Sequence, residues 1–394
     1  MNKQIYFLLL AQFLSAFADN AILFTVIAIV MQAEHTPGWY IPALQSVFLV
    51  AYVVLGPWVG GIADKHPKSR VLIYANMIKA FGAGLLFLDV NPLIAYCIVG
   101  AGAAIYSPAK YGILPELVEH EFLVKANGWI EGSTIFAILL GMVIGAKVAD
   151  HSTHIALVGT IVLYILSALS ALPLPAKITY LKKQQDTKEY RLIVFYQQMC
   201  QLFNSHHARF AVLGGSMFWA AAASLRIIFI AWASLVLLSK NSSDIADNIQ
   251  FLSVGIIIGA GVVPRLIPLE HIRRVRFPAY LMGLFIIVLS LTESVWPARF
   301  SLFVIGTMGG MFIVPINALL QEQGKQSIGS GSAVSLQNFF QNLAMLLAVG
   351  SYTYAAYLKV DPVMAMCVLG FLVLIATFFL TLHLADIQKK RLHS

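Results

Sequence analysis

Runs of about 20 apolar residues follow one another along nearly the whole chain, broken by short polar turns. At 1.5 Å per residue each run is long enough to cross a hydrocarbon core as a helix. Such runs start near Ile5, Ile41, Val71, Pro92, Phe122, Ile155, Phe210, Ile245, Phe277, Pro297, Ser332 and Pro362. The pattern predicts an all-α membrane protein with twelve transmembrane helices, six in each half. Its one long polar interruption lies between spans 6 and 7, where AKITYLKKQQDTKEYRLIVFYQQMCQLFNSHHAR reads as a linker. Within it, LIVFYQQMCQLF has the pattern of an amphipathic helix lying on the cytoplasmic membrane surface. The expected organisation is a six-helix bundle over 1–175, a cytoplasmic linker over 176–208 and a second six-helix bundle over 209–394.

Composition agrees with this reading. Of 394 residues 59% are hydrophobic and only 11% charged, with a mean hydropathy of +0.80. Too few charges are present to coat a soluble domain of this size. Those present are unevenly placed. Lys65, Lys68 and Arg70 lie between spans 2 and 3, and Lys177, Lys182, Lys183, Lys188, Arg191 and Arg209 lie between spans 6 and 7. Arg265, Arg273, Arg274 and Arg276 lie between spans 8 and 9, and Lys389, Lys390 and Arg391 lie at the C-terminus. The alternate connections AEHTPGWY, DVNP and LTESVWP carry few or none. The positive-inside bias therefore puts both termini in the cytoplasm. It also accounts for the formal charge of +8 as topology rather than as a nucleic-acid surface.

Other simple signals add little. Ala16-Phe17-Ala18 resembles a signal-peptidase site, but the apolar run continues to Met31, so an uncleaved span is expected. Cys97, Cys200 and Cys367 are isolated, and His151 and His154 read as ordinary turn residues rather than ligands, so neither disulfides, a metal site nor a cofactor is expected.

The two halves repeat one another. SPAKYGILPELVEHEFLVKANGWIEGSTIFAILLGMVIG aligns with VPINALLQEQGKQSIGSGSAVSLQNFFQNLAMLLAVG, matching Pro108 with Pro315 and Gly145 with Gly350. Spans 1 and 7 align likewise, which sets Asp19 against Ser224, two residues from Arg226. Each half thus carries one isolated charge at nearly the same depth in an apolar helix. An ionisable group in hydrocarbon costs at least about 3 kcal/mol and survives only facing protein, water or a partner. Paired six-helix repeats with a site at the midplane define one transporter architecture. Asp19 and Arg226 are the leading candidates for that site, whether as ligand contacts or as an ion pair bridging the halves.

Gly60-Gly61-Ile62-Ala63-Asp64-Lys65-His66-Pro67-Lys68-Ser69-Arg70 is similar to the signature that comes after the second span in the major facilitator superfamily. Pro67 replaces the usual glycine, and Ser69 displaces one basic residue. The resemblance implies a conformational latch made by Gly60, Asp64, Lys65 and Arg70. A closer resemblance covers most of the chain. AQFLSAFADNAILF, YSPAKYGILPELV, KANGWIEGSTIFAILLG, FWAAAASLRIIFI and VPINALLQEQGKQSIGSG resemble the bacterial lysophospholipid transporters of that superfamily.

That resemblance implies movement of lysophosphatidylethanolamine and related lysolipids from the outer to the inner leaflet of the bacterial cytoplasmic membrane. An acyltransferase/acyl-carrier-protein synthetase on the cytoplasmic face would then restore the missing chain. The implied protein works as a monomer and needs no ion gradient. The chemistry is compatible: the planar fork of Arg226 suits a phosphate, and Asp19 suits an ammonium.

Further polar residues in the spans join the candidate set. Asn76 and Lys79 sit one turn apart in span 3, Glu131 is in span 5, and Asn317 is in VPINALL. Each could touch a headgroup or pair internally. Lys110 in SPAKYG is expected either to snorkel or, by the resemblance, to meet the headgroup. Gln337, Asn338, Gln341 and Asn342 form one amide-rich face on span 11 that either lines an aqueous path or holds helices together. Gly141 and Gly145 in span 5, with Gly255 and Gly259 in span 8, allow close backbone approach; they form either a lateral lipid gate or ordinary tight packing.

Three other activities compete. A proton-coupled drug exporter shares the glycine spacing at Gly132, Gly141 and Gly145, but Ala146 stands where its proline belongs. A membrane acyltransferase would need an H-x-x-x-x-D dyad for base-assisted transfer, and none of the ten histidines has one. A sugar or organic-anion carrier stays open, since a fold does not fix its cargo.

Overall fold

The structure is a computed structural model that describes residues 3–32, 40–176, 191–237 and 242–391. It consists of helices: α1 (Lys3–Gln32), α2 (Tyr40–Lys65), α3 (Lys68–Gly84), α4 (Pro92–Gly112), α5 (Leu114–Leu117), α6 (Leu123–His151), α7 (Thr153–Ser170), α8 (Arg191–Asn204), α9 (His206–Val236), α10 (Ser242–Leu266), α11 (Arg276–Ser290), α12 (Val295–Gln326), α13 (Ser330–Tyr357) and α14 (Pro362–Arg391). A helix begins within about four residues of every predicted span start. Local chemistry explains several boundaries. Asn91 accepts from the Leu93 amide ahead of Pro92, which fills a first helical position where a missing N–H does no harm. Ser152 and Ser205 cap α7 and α9 in the same way.

Among the described residues, ten helices are long and apolar enough to cross a membrane. The two predicted spans outside that set are α11 and α13. Only 15 residues form α11, which is preceded by a 3-10 turn over Leu269–Val275. Length is no problem for α13, but Gln337, Asn338, Gln341, Asn342 and several serines lower its hydropathy.

The chain forms two compact units. The first gathers the described residues of Met1–His120, Ser133–Leu202 and Gln321–Phe339; the second gathers those of Glu121–Gly132, Phe203–Leu320 and Phe340–Ser394. In the first unit α3 packs on α4 and α7, α2 on α4, and α1 on α7. Ala18, Ile22, Val26, Val99, Leu157 and Tyr164 are buried together in its core. In the second unit α14 packs on α9 and α11, and Phe229, Trp232 and Phe312 are fully enclosed.

Small residues bring backbones together inside each unit. A Cβ on Gly141 would stand 2.5 Å from the Phe17 carbonyl oxygen, and one on Gly145 would stand 2.6 Å from the Ala21 Cα, so α6 lies directly on α1. In the second unit Gly255 and Gly259 of α10 meet the α12 backbone around Phe303 and Thr307, and Gly306 and Gly310 of α12 meet α10 around Leu252 and Ile256. Each glycine proposed for a lateral gate thus makes its close approach inside its own unit, Gly141 and Gly145 in the first and Gly255 and Gly259 in the second.

Of the predicted linker, 177–190, with Lys177, Lys182, Lys183 and Lys188, lies outside the described residues. Its second part forms α8, which exposes Leu192, Ile193 and Tyr196 while Leu202 is buried.

Candidate functional site

The first unit contains a buried polar cluster built by helical spacing. Ser15 and Asp19 lie four apart on α1, Asn76 and Lys79 three apart on α3, and Tyr164 and Ser167 three apart on α7. Such pairs share one helix face, and the packing of α1 and α3 on α7 turns the three faces together. Lys79 Nζ donates to Asp19 Oδ2 at 2.8 Å and to Ser15 Oγ at 2.9 Å. The Tyr164 hydroxyl donates to the other carboxylate oxygen, Asp19 Oδ1, at 2.9 Å. Ser15 in turn donates to Asn76 Oδ1, Asn76 Nδ2 to Ser167 Oγ, and Ser167 to the Ala11 carbonyl. The Tyr106 ring faces the ammonium, with its centroid 4.6 Å from Nζ. Lys79 needs a glycine beside its shaft: a Cβ on Gly102 would stand 2.6 Å from Lys79 Cγ.

Asp19, Lys79 and Asn76 are therefore brought together, and within this unit Lys79 is the cation beside Asp19. The reason is register: Lys79 shares its face with Asn76 and is directed at α1. Ser15, Tyr164 and Ser167 were absent from the candidates read in the sequence, although their spacing within apolar helices was a usable signal. Lys79 is fully buried, whereas the Asp19 side chain keeps 21% exposure, so the carboxylate is the accessible member of the pair.

The remaining candidates divide between the two units, Lys110 in the first and Glu131, Asn317 and Arg226 in the second. In the second unit Asn317 Nδ2 of α12 donates to Glu131 Oε1 of α6 at 2.9 Å, and both side chains are buried. Arg226 on α9 is exposed and, among the described residues, has no hydrogen bond or ion pair in its own unit. Lys110 is buried near the end of α4 with its ammonium 4.1 Å from the Tyr111 ring centroid. On the amide-rich face, Gln337, Gln341 and Asn342 are buried, and Asn338 donates to Ser107 at 2.9 Å.

The latch residues form a defined contact within the first unit. Asp64 Oδ1 accepts from the Gly331 amide at 2.8 Å, and Oδ2 from the Ser332 amide at 2.7 Å. A carboxylate thus receives the unpaired N–H groups of the first turn of α13, where the helix dipole also favours negative charge. Gly329 permits the approach with φ of 101°, a left-handed conformation that a side chain resists, and a Cβ there would strike the Asp64 carboxylate. Gly60 permits it from the other side, since its Cβ would stand 2.7 Å from Ser332 Cα. Lys68 bridges to Glu116 at 2.6 Å and reaches Asp64 at 3.7 Å. Lys65 and Arg70 are exposed.

The second unit also holds a cavity of about 410 Å³ between α9, α13 and α14. Small residues, including Ala220, Ala221, Ala348 and Ala365, leave this space, and Ser224 and Tyr352 are among its few polar groups.

Residues 8–349 match the model of the Major Facilitator Superfamily, and the chain belongs to that family. It is 42% identical over 356 residues to the lysophospholipid transporter LplT of Photorhabdus laumondii, covering 90% of this chain and 89% of that one. To the protein of the same name from Escherichia coli K12 it is 39% identical over 364 residues, covering 92% and 91%. Two solved structures share the fold at low identity. The Escherichia coli fucose:proton symporter FucP superposes with a TM-score of 0.74 at 14% identity, over 96% of this chain and 97% of that one. The human organic anion transporter MFSD10 superposes with a TM-score of 0.77 at 13% identity, over 96% and 98%.

Proposed function

We propose that this protein is a lysophospholipid transporter that moves lysophosphatidylethanolamine and related lysolipids from the outer to the inner leaflet of a bacterial cytoplasmic membrane. The observation that carries the reading is identity of about 40% along nine-tenths of the chain to two proteins named for that cargo. In this reading all twelve long helices cross the membrane, α11 and α13 included, and both termini are cytoplasmic. Two bundles, 1–175 and 209–394, alternate access around a midplane site.

The site chemistry supports a zwitterionic lipid with one chain. Asp19 retains enough exposure to receive an ammonium, and exposed Arg226, which has no ion pair in its own unit among the described residues, suits a phosphate. Lys110, Glu131 and Asn317 are second-rank headgroup contacts. The apolar cavity beside α9 offers room for the acyl chain. Asp64, held on the first turn of α13, serves as the latch of one conformational state. Transport runs downhill, drawn by reacylation on the cytoplasmic face, where an acyltransferase/acyl-carrier-protein synthetase is the partner.

Expression in spheroplasts lacking their own lysolipid uptake provides the test. Added labelled lysophosphatidylethanolamine should be converted to the two-chain lipid only when this protein is present together with an active acyltransferase. Equal conversion without the protein would overturn the assignment.

A further inference from the structure

We propose that Arg299 and the aromatic rings around it form a binding site for the phosphate of an outer-leaflet phospholipid. The inference rests on the topology proposed above for the choice of leaflet and is otherwise independent of the cargo.

The arginine is fixed at its base and open at its tip. It lies one turn into α12, and its Nε donates to Asn248 Oδ1 of α10 at 2.8 Å. Asn248 is itself buried. The guanidinium carbon sits 5.3 Å from the Phe251 ring centroid and 5.1 Å from that of Trp296, within the range of cation–π attraction. These contacts occupy Nε and the face of the planar group. The terminal nitrogens have no hydrogen bond or ion pair among the described residues. A snorkelling side chain keeps its freedom, whereas this fork is already oriented for the paired oxygens of a phosphate.

Charge and depth point to a lipid. The first turn of α12 holds no acidic residue, and the helix dipole adds positive potential there. A half-buried cation beside hydrocarbon calls for an anion, and lipid phosphate is the anion a membrane supplies at its surface. Arg265, Arg273, Arg274 and Arg276 mark the opposite end of α10, so the positive-inside bias puts Arg299 toward the outer leaflet. Exposed Trp296 is placed as interfacial tryptophans are. From Phe251, a face of α10 continues through Val254, Ile258 and Val262 at helical spacing, and these three are exposed. That apolar stripe gives an acyl chain a path away from a phosphate held at Arg299. All of these residues lie in the second unit.

The test uses the purified full-length protein in a neutral detergent. Phosphatidylglycerol, a diacylglycerol with the same chains, or inorganic phosphate is added, and retained lipid is counted by native mass spectrometry alongside thermal unfolding. Phosphatidylglycerol should bind saturably and raise the unfolding temperature. Diacylglycerol lacks the phosphate and inorganic phosphate lacks the chains, so neither should reproduce the effect. Arg299→Gln should retain one lipid fewer and bind phosphatidylglycerol about tenfold more weakly. Arg299→Lys keeps the charge without the fork and should fall between, while Arg265→Gln, at the other end of α10, should match wild type. Equal binding by Arg299→Gln and wild type overturns the proposal, and so does equal binding of diacylglycerol. An equal shift with inorganic phosphate overturns the assignment to a lipid. Should Arg299→Gln fail to fold, Arg299→Lys and the diacylglycerol comparison still decide. No lysolipid is present, so failure of the cargo assignment leaves each of these results unchanged.

Discussion

Lys79 lies 2.8 Å from Asp19 across the contact between α1 and α3, with 1% of its side chain exposed against 21% for the carboxylate. The cation is sealed and the anion is reachable. Removing one member of a buried pair strands the other, at a cost of about 3–5 kcal/mol. Asp19→Asn and Lys79→Met should each lower the unfolding temperature, and the double variant should recover part of the loss. Transport should stay absent in the double variant, because the headgroup ammonium has lost its acceptor. Full recovery of uptake would assign Asp19 to structure alone.

Arg226 should behave in the opposite way. It is exposed and has no ion pair within its unit among the described residues, so Arg226→Ala should change stability by no more than about 0.5 kcal/mol. Uptake of lysophosphatidylethanolamine should nevertheless fall at least about tenfold, equivalent to about 1.4 kcal/mol of lost phosphate contact. Thermal unfolding and initial uptake rates, measured on the same preparations, separate the two effects. Normal uptake would remove Arg226 from the site.

For the latch, Asp64→Ala leaves the Gly331 and Ser332 amides without their acceptor. Loss of such a helix cap costs about 0.5–2 kcal/mol. Amide hydrogen exchange over 329–335 should accelerate in Asp64→Ala and much less in Asp64→Asn, which keeps one acceptor oxygen. Unchanged exchange in Asp64→Ala would mean that other groups hold this turn.

The glycine contacts predict a stability effect with a definite location. Gly259→Val would drive a side chain into the α12 backbone at Thr307, and overpacking of this kind costs about 1–3 kcal/mol. Gly261, with open space where a Cβ would go, provides the control: Gly261→Val should be tolerated. Equal thermal stability of the two variants would contradict the packing.

Much of this architecture is legible in the sequence, because a membrane leaves few solutions: each long apolar run must satisfy its backbone as a helix. Helix starts accordingly fall close to the predicted ones, even for α13, whose amide face weakens its hydropathy. The charged residues were visible for the same reason, since Asp19, Lys79 and Glu131 stand out against hydrocarbon. Their partners were not. That Lys79 stands beside Asp19 depends on how α1 and α3 are rotated about their axes, and the neighbour of Glu131 depends on α12 crossing α6. Tyr164 and Ser15 escaped notice because an uncharged hydroxyl in an apolar helix is common, and only its aim gives it a role. The glycine pairs were recognisable as contact points, but the spacing does not say which helix they contact.

Leaflet-resolved uptake in proteoliposomes tests the central claim most directly. The purified protein is reconstituted, labelled lysophosphatidylethanolamine is added to one leaflet, and its appearance in the other is followed with no gradient, a proton gradient or a sodium gradient. The account predicts protein-dependent equilibration at the same initial rate in all three conditions, with no such movement of a two-chain phosphatidylethanolamine. Failure to move the lysolipid above the protein-free rate would contradict the cargo, and movement that requires either gradient would contradict downhill facilitation.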